Sequence, residues 1–362
     1  MVRHCSGGNC LFDSVCDRGS CSISSLVFEM KKILILGAAG FLGGHLEHRL
    51  RAEGHYVVSV ARKTPLFRKS VANEFNILDL TNVAEFHSHF HRHHFDECYQ
   101  LAGEVGGLGY IGTGDHDADI LVNSVKINLH TLEAIRKTQA CDKIFFASSQ
   151  CVYPDRFEID PFASERIPLE INDPNNRECD ASFDTFAFGQ EKLFSEKLYD
   201  AYRRNYGLEV RIGRIGNTYG PFSVWDGDRA KAPAAICRKV AQAGYGEPVE
   251  LWGNGQTRRS FTYVDDVIEG MIRLMASDYN QPVNIAVHET VKITELFEIV
   301  CSVSGKVLGH VGVDGPSGVH SRGSDNTLCK KVLGWEPTTT LWHGISQTYP
   351  WIKQQALTKE IV

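Results

Sequence analysis

The chain has 362 residues, of which 43% are hydrophobic and 23% are charged, and its formal net charge is −6. That length allows one large α/β unit or two coupled lobes around a sizeable core. The charge balance leaves no long basic stripe for nucleic acid, and no apolar run approaches the ~20 residues that span a bilayer. The sequence therefore predicts neither a nucleic-acid partner nor a membrane partner.

The first 29 residues differ from everything after them. They hold four cysteines, but they lack both the pattern of a signal peptide and the paired C-x2-C spacing of common zinc sites. We expect residues 1–29 to form a poorly ordered N-terminal extension ahead of a start at Met30. The remaining cysteines are scattered through element-like segments, which is typical of reduced thiols and predicts a cytoplasmic location.

A histidine-rich run, HSHFHRHH, precedes the fourth predicted strand. His87, His91 and His94 would share one face of a helix, and such a face could attract a metal ion. The favoured interpretation is an exposed helix end, so the sequence predicts no metal site.

From Lys31 onward, short apolar runs alternate with segments of helical spacing. KKILILG has the continuous apolar character of a buried parallel strand, and HYVVSVA, FNILDL, ECYQLAG and KIFFASS continue the series. The alternation predicts an α/β fold with a Rossmann-type doubly wound parallel sheet, whose ligands lie at the carboxyl ends of the strands. We expect a NAD(P)-binding domain over residues 30–210.

Residues 211–362 are predicted to form mainly a smaller C-terminal α/β substrate lobe, interleaved with the first domain. VELWG and VNIAV are its predicted strands, and helices are expected after Asp265 and Thr294. This lobe would cover the substrate.

A glycine-rich turn follows the first strand. Gly37, Gly40 and Gly43 follow the pattern G-x-x-G-x-x-G, and a segment of helical spacing comes next. Residues without a bulky Cβ let the backbone approach a pyrophosphate, and the helix N-terminus offers free N–H groups. The turn predicts dinucleotide binding. The other residues predicted to contact the cofactor here and after later strands are Phe41, Leu42, Leu80, Leu101 and Ala102.

The end of the second predicted strand reads Ala61-Arg62-Lys63. A carboxylate at this place normally holds the ribose 2′-OH of NAD, whereas two cations suit the 2′-phosphate of NADP. We therefore favour NADP over NAD, and the alternative is that both cations are solvated loop charges. The glycine spacing is typical of short-chain dehydrogenase/reductase enzymes, and Asp79 matches the residue that contacts the adenine amino group in that superfamily.

Six motifs together carry a closer resemblance. SSQCVYP, GGLGYI, NTYGPF, KAPAAICRK, RSFTYVDDVIEG and SDNTLCKKVLGW, within about residues 30–355, are similar to segments of the GDP-mannose 3,5-epimerases, which are extended short-chain dehydrogenase/reductases. The resemblance implies an epimerase that acts on a GDP-linked sugar through a transient ketone at C4, with a tightly bound nicotinamide cofactor. It also implies a homodimer that packs the helix bearing Lys192 into a four-helix bundle.

The same resemblance implies roles for individual residues. Ser149 hydrogen-bonds the hydroxyl that is oxidised, and Cys151 and Lys231 form the acid/base pair on opposite faces of the sugar ring. Related 4,6-dehydratases carry Thr-Asp-Glu over positions 149–151, so the Ser-Gln-Cys of this chain lacks their acid and base. The residues that hold the sugar nucleotide are implied to be Gly107, Asn217, Arg259 and Arg322.

Phe188 departs from the family pattern Tyr-x-x-x-Lys. In that pattern the lysine lowers the tyrosine pKa and contacts the nicotinamide ribose, and the phenolate accepts the C4-hydroxyl proton. FGQEK keeps Lys192 one helical turn away on the same face but lacks the phenolate. Loss of a general base costs ~10²–10⁴ in rate, so turnover should be slow. None of the nearby tyrosines is followed four residues later by a lysine, which argues against a misread register. A deliberate Tyr→Phe change is the favoured origin, and a natural loss is the alternative.

Two other functions stay open. One is a C4 epimerase or 4-reductase in which Cys151 is passive, and the other is a catalytically silent protein that binds NADP and a sugar nucleotide. The loop from Asp155 to Thr185 is longer than in plant-type epimerases and lacks their residues near the tyrosine. The identities of the sugar and the nucleotide therefore stay open as well.

Overall fold

The computed structural model describes residues 29–84, 93–153, 186–316 and 321–359. Three of the sequence predictions lie outside these ranges: the N-terminal extension as far as residue 28, the pair His87 and His91, and the loop from Asp155 to Thr185.

A parallel sheet forms the centre of the fold, as the alternating pattern predicted. Its strand order is β3-β2-β1-β4-β5-β6-β11, and each neighbouring pair runs parallel. The order runs outward in both directions from β1, which is the doubly wound arrangement. The strands are β1 Lys32–Leu36, β2 Tyr56–Ala61, β3 Glu74–Ile77, β4 Phe95–Gln100, β5 Cys141–Ser149, β6 Glu209–Ile215 and β11 Val283–Ile285.

Both faces of this sheet are covered, which explains why β1 is apolar at every buried position. Ile33 and Ile35 pack into one hydrophobic cluster, whereas Leu34 and Leu36 pack into another. All four side chains have no exposed surface. Because successive strand residues point to opposite faces, a strand buried on both sides reads as a continuous apolar run rather than as an alternation.

The helices follow the strands closely. In the described part of the chain they are α1 Phe41–Ala52, α2 Leu108–Ile111, α3 Asp117–Thr138, α4 Ala187–Tyr206, α5 Ala232–Gln242, α6 Val264–Ala276, α7 Ile293–Ser304, α8 Thr327–Leu333 and α9 Leu341–Lys359. Helices α6 and α7 begin next to Asp265 and Thr294, as predicted. Within the described residues, no helix combines the length and the apolar character needed to cross a membrane.

Among the described residues, short strands after β6 build three further small sheets. They are β7 Thr218–Tyr219 with β10 Thr262–Tyr263, β8 Val249–Trp252 with β13 His310–Val313, and β9 Arg258–Arg259 between β12 Val291–Lys292 and β14 Ser321–Arg322. The VELWG prediction is confirmed by β8. The placement of VNIAV in the C-terminal lobe was wrong, because β11 pairs in parallel with β6 and extends the central sheet. The chain beyond residue 210 thus contributes most of β6 and all of β11 to that sheet.

Candidate functional site

A cavity of about 600 Å³ lies at the carboxyl ends of the central strands. Segments that directly follow β1, β2, β4, β5 and β6 all line it, together with the first turns of α1 and α4. This is where ligands bind in open parallel sheets. The predicted residues that it gathers are Gly37, Gly40, Phe41, Leu42, Gly43, Arg62, Lys63, Asp79, Leu80, Leu101, Ala102, Ser149, Cys151, Phe188, Lys192, Asn217, Lys231 and Arg322.

The glycine turn at one end of the cavity requires glycine for two separate reasons. Gly37 has φ +86°, and a Cβ there would come within 2.7 Å of the backbone nitrogen of Ala102. A Cβ at Gly43 would overlap the backbone of Gly37 and Ala38. Gly40 caps α1 without any side-chain hydrogen bond, so the first N–H groups of that helix stay available to a ligand. The turn fits the pyrophosphate of a dinucleotide.

Arg62, at the adenosine end of the cavity, lies near two carboxylates, those of Asp79 and Glu104. Asp79 accepts hydrogen bonds from the backbone nitrogen and the hydroxyl of Thr81 at 2.9 and 2.7 Å. The N–H of Thr81 contributes most to lowering the pKa of Asp79, and the charge of Arg62 adds to it. The guanidinium of Arg62 also lies 3.7 Å from a carboxylate oxygen of Glu104. Arg62 is therefore partly neutralised within the protein.

The turn after β5 brings Ser149 and Cys151 together. The Ser149 hydroxyl accepts a hydrogen bond from the Cys151 backbone nitrogen at 3.1 Å, which starts a short 3₁₀ helix over Gln150–Val152. The thiol of Cys151 is half-buried, and the guanidinium of Arg322 donates a hydrogen bond to its sulfur at 3.1 Å. Arg322 therefore lies against the predicted acid/base thiol.

Phe188 and Lys192 lie one turn apart on α4, and both are buried. The Lys192 ammonium is 5.4 Å from the centre of the Phe188 ring, 5.3 Å from that of Phe146, and 3.1 Å from the carboxylate of Glu191. The predicted register places Phe188 at the cavity wall. No tyrosine in the described part of α4 lines the cavity; for example, Tyr199 hydrogen-bonds Asn128 in the core.

Lys231 lies at the start of α5, at the N-cap position, and is half-buried at the cavity wall. Burial lowers the pKa of Lys231, and the charge of nearby Cys151 partly offsets that shift. The electrostatic interaction between the two groups and their common cavity place the predicted acid and base around one volume. A sugar ring bound between Cys151 and Lys231 would have a titratable side chain on each of its two faces.

Two predicted residues do not line the cavity. Gly107 faces the backbone of Ala230, whose carbonyl a Cβ at that position would overlap. Arg259 donates a hydrogen bond from its guanidinium to the Arg258 carbonyl at 2.7 Å. Direct contact of these two residues with a sugar nucleotide stays a prediction of the resemblance.

Sequence analysis missed a pair of charged cavity residues, Glu104 and Arg229. Arg229 donates a hydrogen bond to the Glu104 carboxylate at 2.8 Å. Burial alone would raise the pKa of Glu104, but the hydrogen bond and charge of Arg229 outweigh it, with help from Tyr110, and lower that pKa. The available signal was an acidic residue directly after the fourth strand, at the edge where ligands bind.

Fold and cavity together define a dinucleotide-binding enzyme of the Rossmann type, whose cavity is lined by the glycine turn and by several titratable groups. The chain belongs to the NAD dependent epimerase/dehydratase family, whose sequence model matches residues 33–286. Membership of this family confirms the predicted resemblance to the extended short-chain dehydrogenase/reductases.

Similar proteins narrow the relationship further. The chain is 37% identical over 336 residues to GDP-mannose 3,5-epimerase 1 of Oryza sativa subsp. indica. This alignment covers 90% of the chain and 83% of the rice protein. It is 38% identical over 337 residues to GDP-mannose 3,5-epimerase of Arabidopsis thaliana, with the same coverage of both chains. A UDP-glucuronic acid decarboxylase 1 of Xenopus tropicalis is 27% identical over 340 residues, covering 90% of this chain and 73% of the relative.

Solved structures confirm the fold. UDP-glucose 4-epimerase from Thermotoga maritima, determined with UDP-glucose, superposes with a TM-score of 0.76 at 23% identity and covers 90% of this chain and 99% of its own. UDP-glucuronic acid 4-epimerase from Bacillus cereus, in complex with UDP-glucuronic acid and NAD, gives a TM-score of 0.72 at 24% identity with the same coverage.

Proposed function

We propose that this protein is a sugar-nucleotide 3,5-epimerase of the GDP-mannose type, with a tightly bound nicotinamide cofactor. The observation that carries the proposal is the placement of Cys151 and Lys231 around one cavity that also holds Ser149 and Lys192. The similarity to plant GDP-mannose 3,5-epimerases supports the sugar and the nucleotide.

A dinucleotide held through its pyrophosphate at the glycine turn would supply an oxidised nicotinamide as a reversible acceptor of the C4 hydride. The C4-hydroxyl proton would then leave to solvent, because Phe188 has no oxygen to accept it. Ser149 hydrogen-bonds the C4 hydroxyl and fixes its orientation. The ketone acidifies the hydrogens on C3 and C5, so a base on one face of the ring removes a proton and an acid on the other face returns one. Cys151 and Lys231 fill these two roles, and each exchange of a proton across the ring inverts one carbon.

Electrostatics of the cavity favour this chemistry. The lowered pKa of Lys231 increases its fraction of neutral amine near physiological pH, which is the form that accepts a proton. Arg322 holds the Cys151 sulfur in place, and with Asn217 it offers donors to the diphosphate.

Phe188 makes the chain a slow enzyme. Its ring fills the position beside Lys192 without offering a phenolate to take the C4-hydroxyl proton. Phe188 also favours a second candidate, a catalytically silent protein that binds NADP and a sugar nucleotide. The two candidates differ in whether a restored phenol restores turnover.

We infer NADP as the preferred cofactor, because Arg62 and Lys63 line the adenosine end of the cavity. A homodimer is inferred from exposed apolar side chains on α3 and α4, among them Val122, Leu129 and Phe194. A cytoplasmic location is inferred from the free thiols in the described part of the chain.

The proposal is tested by incubating the Phe188→Tyr protein with GDP-mannose in heavy water and following the sugar by NMR. Incorporation of deuterium at C3 and C5 supports the 3,5-epimerase. A C4 epimerase or 4-reductase would act on the sugar nucleotide without exchanging those carbon-bound hydrogens. A silent binding protein would bind GDP-mannose, as measured by calorimetry, but incorporate no deuterium after Phe188→Tyr. UDP- and ADP-linked hexoses serve as the nucleotide controls.

A further inference from the structure

The buried carboxylate of Glu104 is the centre of a cluster at the cavity wall, in which Tyr110 is buried and Arg229 is partly exposed. It accepts hydrogen bonds from the Arg229 guanidinium at 2.8 Å and from the Tyr110 hydroxyl at 3.2 Å. Only 8% of Glu104 is exposed, and its backbone nitrogen donates to the Ser124 hydroxyl on α3 at 3.1 Å. Glu104 is thus held from both its backbone and its side chain.

Arg229 is fixed by three other contacts besides this ion pair. Its guanidinium donates to the Val105 carbonyl at 3.1 Å and stacks 3.7 Å above the centre of the Tyr110 ring. Its own carbonyl accepts a hydrogen bond from the Gly107 nitrogen at 3.0 Å. Both the side chain and the backbone of Arg229 therefore contact the segment between β4 and α2. This segment is more than 100 residues away in the sequence.

Arg229 and Ala230 directly precede Lys231 in the chain. A Cβ on Gly107 would overlap the Ala230 carbonyl and lie 3.4 Å from the Lys231 nitrogen, so the two segments touch through their backbones. Lys231 is the N-cap of α5, and its carbonyl accepts the first helical hydrogen bond, from the Ala235 nitrogen. The position of the Lys231 backbone is set by the contacts of the two residues before it.

From these contacts we propose that Glu104 is a positioning residue, which acts through Arg229 to hold Lys231 at its place beside the sugar ring. The inference rests on the proposed function of Lys231 as one member of the acid/base pair. A charge-assisted hydrogen bond to a buried carboxylate, together with the stacking and backbone contacts of Arg229, is able to fix a segment. A misplacement of about 1 Å at a reacting group can cost about 100-fold in rate. Glu104 also lies 3.7 Å from Arg62, so the same carboxylate faces the cofactor end of the cavity.

The test compares Glu104→Gln with its parent in the Phe188→Tyr background. Two steps are measured separately: reduction of the bound cofactor, followed by absorbance during a single turnover, and deuterium wash-in at C3 and C5, followed by NMR. We expect wash-in to fall about 100-fold while cofactor reduction changes little, because Lys231 acts after C4 is oxidised. Glu104→Asp, which keeps the charge, should recover part of the loss. Glu336→Gln, which removes one partner of an exposed ion pair with Lys330, is the matched control and should leave both steps unchanged.

A second readout does not depend on turnover. Reductive methylation of Lys231, quantified by mass spectrometry, should become faster in Glu104→Gln because its backbone anchor is loosened. Arg229→Lys, which keeps the charge but loses the planar fork, should behave in the same way and replaces Glu104→Gln if that variant does not fold.

Two results would overturn the inference: an equal fall in cofactor reduction and wash-in, or unchanged methylation of Lys231 in both variants. If the Phe188→Tyr parent itself incorporates no deuterium, the proposed function fails, and the methylation rates alone decide whether Glu104 positions Lys231.

Discussion

The guanidinium of Arg322 donates a hydrogen bond to the Sγ atom of Cys151 at 3.1 Å, across a separation of 171 residues in the chain. A guanidinium has only donors, so the sulfur must be the acceptor in this contact. The thiol proton of Cys151 therefore points away from Arg322. Arg322 is expected to contact the diphosphate. The geometry adds a direct effect of Arg322 on Cys151, the proposed acid/base thiol.

Replacement of Arg322 should separate these two effects. Arg322→Met removes the donors but keeps much of the length of the side chain. At saturating GDP-mannose in the Phe188→Tyr background, we expect deuterium wash-in to fall about 10–100-fold, because a hydrogen bond to a charged group contributes about 1.5–3 kcal/mol. Arg258→Met, on the same strand as Arg259 and bonded to Thr290, is the control. If only the affinity for GDP changes in calorimetry, Arg322 acts on the diphosphate alone.

Restoring the phenol at position 188 should raise turnover by orders of magnitude. Phe188→Tyr adds one oxygen beside Lys192, and a positioned general base contributes ~10²–10⁴ in rate. Substrate affinity should barely change, because the ring and its packing against Tyr110 and Ile120 are kept. Steady-state kinetics and calorimetry measure the two quantities. Tyr206→Phe, at the exposed C-terminal end of the same helix, should change neither of them. An unchanged rate for Phe188→Tyr would contradict the assignment of this helix.

Local patterns predicted the parts of this structure that depend on neighbouring residues. The apolar run of β1 and the glycine turn after it each follow from short-range requirements of burial and backbone space, and both lie where expected. The rule that ligands bind at the carboxyl ends of parallel strands then brought Ser149 and Asp79 to one cavity.

Long-range side-chain contacts could not be predicted in this way. Glu104 and Arg229 are 125 residues apart, and neither has a periodic or motif signal that would indicate its partner. The seventh strand, β11, was misplaced for a related reason. A short apolar run indicates a strand, but the sheet that it joins depends on the path of the whole chain between β6 and β11.

The pH dependence of deuterium wash-in should reflect the lowered pKa of Lys231. Burial disfavours the charged ammonium, so the neutral amine accumulates at a lower pH than in free lysine, whose pKa is about 10.4. The limb of the profile in which Lys231 acts as base should therefore rise with pH and have its midpoint below that value. Lys231→Arg, which stays protonated, should lose wash-in by ~10²–10⁴. Lys239→Arg, on the same helix and bonded to the Glu250 carbonyl, should keep the profile. A midpoint at or above that of free lysine would contradict the assignment.

Cofactor preference should depend on the cations that follow β2. We expect Arg62→Ala to weaken NADP binding about 10–100-fold and NAD binding much less, because only NADP has a 2′-phosphate to accept a charge-assisted hydrogen bond. Lys63→Ala should have a smaller effect in the same direction. Lys69→Ala, an exposed cation of the same loop that does not line the cavity, is the control. Calorimetric titration with each dinucleotide measures the difference. If Arg62→Ala weakens the binding of NAD and NADP equally, Arg62 contacts a part of the cofactor that both dinucleotides share.

Acid stability should depend on Glu133, which ties α3 to α4. Its carboxylate accepts hydrogen bonds from Arg136 at 2.9 Å and from the Tyr202 hydroxyl at 2.5 Å, and these contacts lower its pKa to about 2. A carboxyl whose pKa is depressed on folding contributes its stability above the unfolded value, about 4.3, and loses it as pH falls toward the folded value.

We therefore expect Glu133→Gln to lower the free energy of unfolding at pH 7 by less than about 1 kcal/mol, since solvent screens this partly exposed pair. The difference from the unchanged protein should shrink progressively between about pH 4 and about pH 2, because the wild-type carboxyl becomes protonated in that window. Urea unfolding at pH 7, 4 and 3 measures it, with exposed Glu289→Gln as the control. A difference that stays constant over this pH range would assign the effect of Glu133 to packing rather than to its charge.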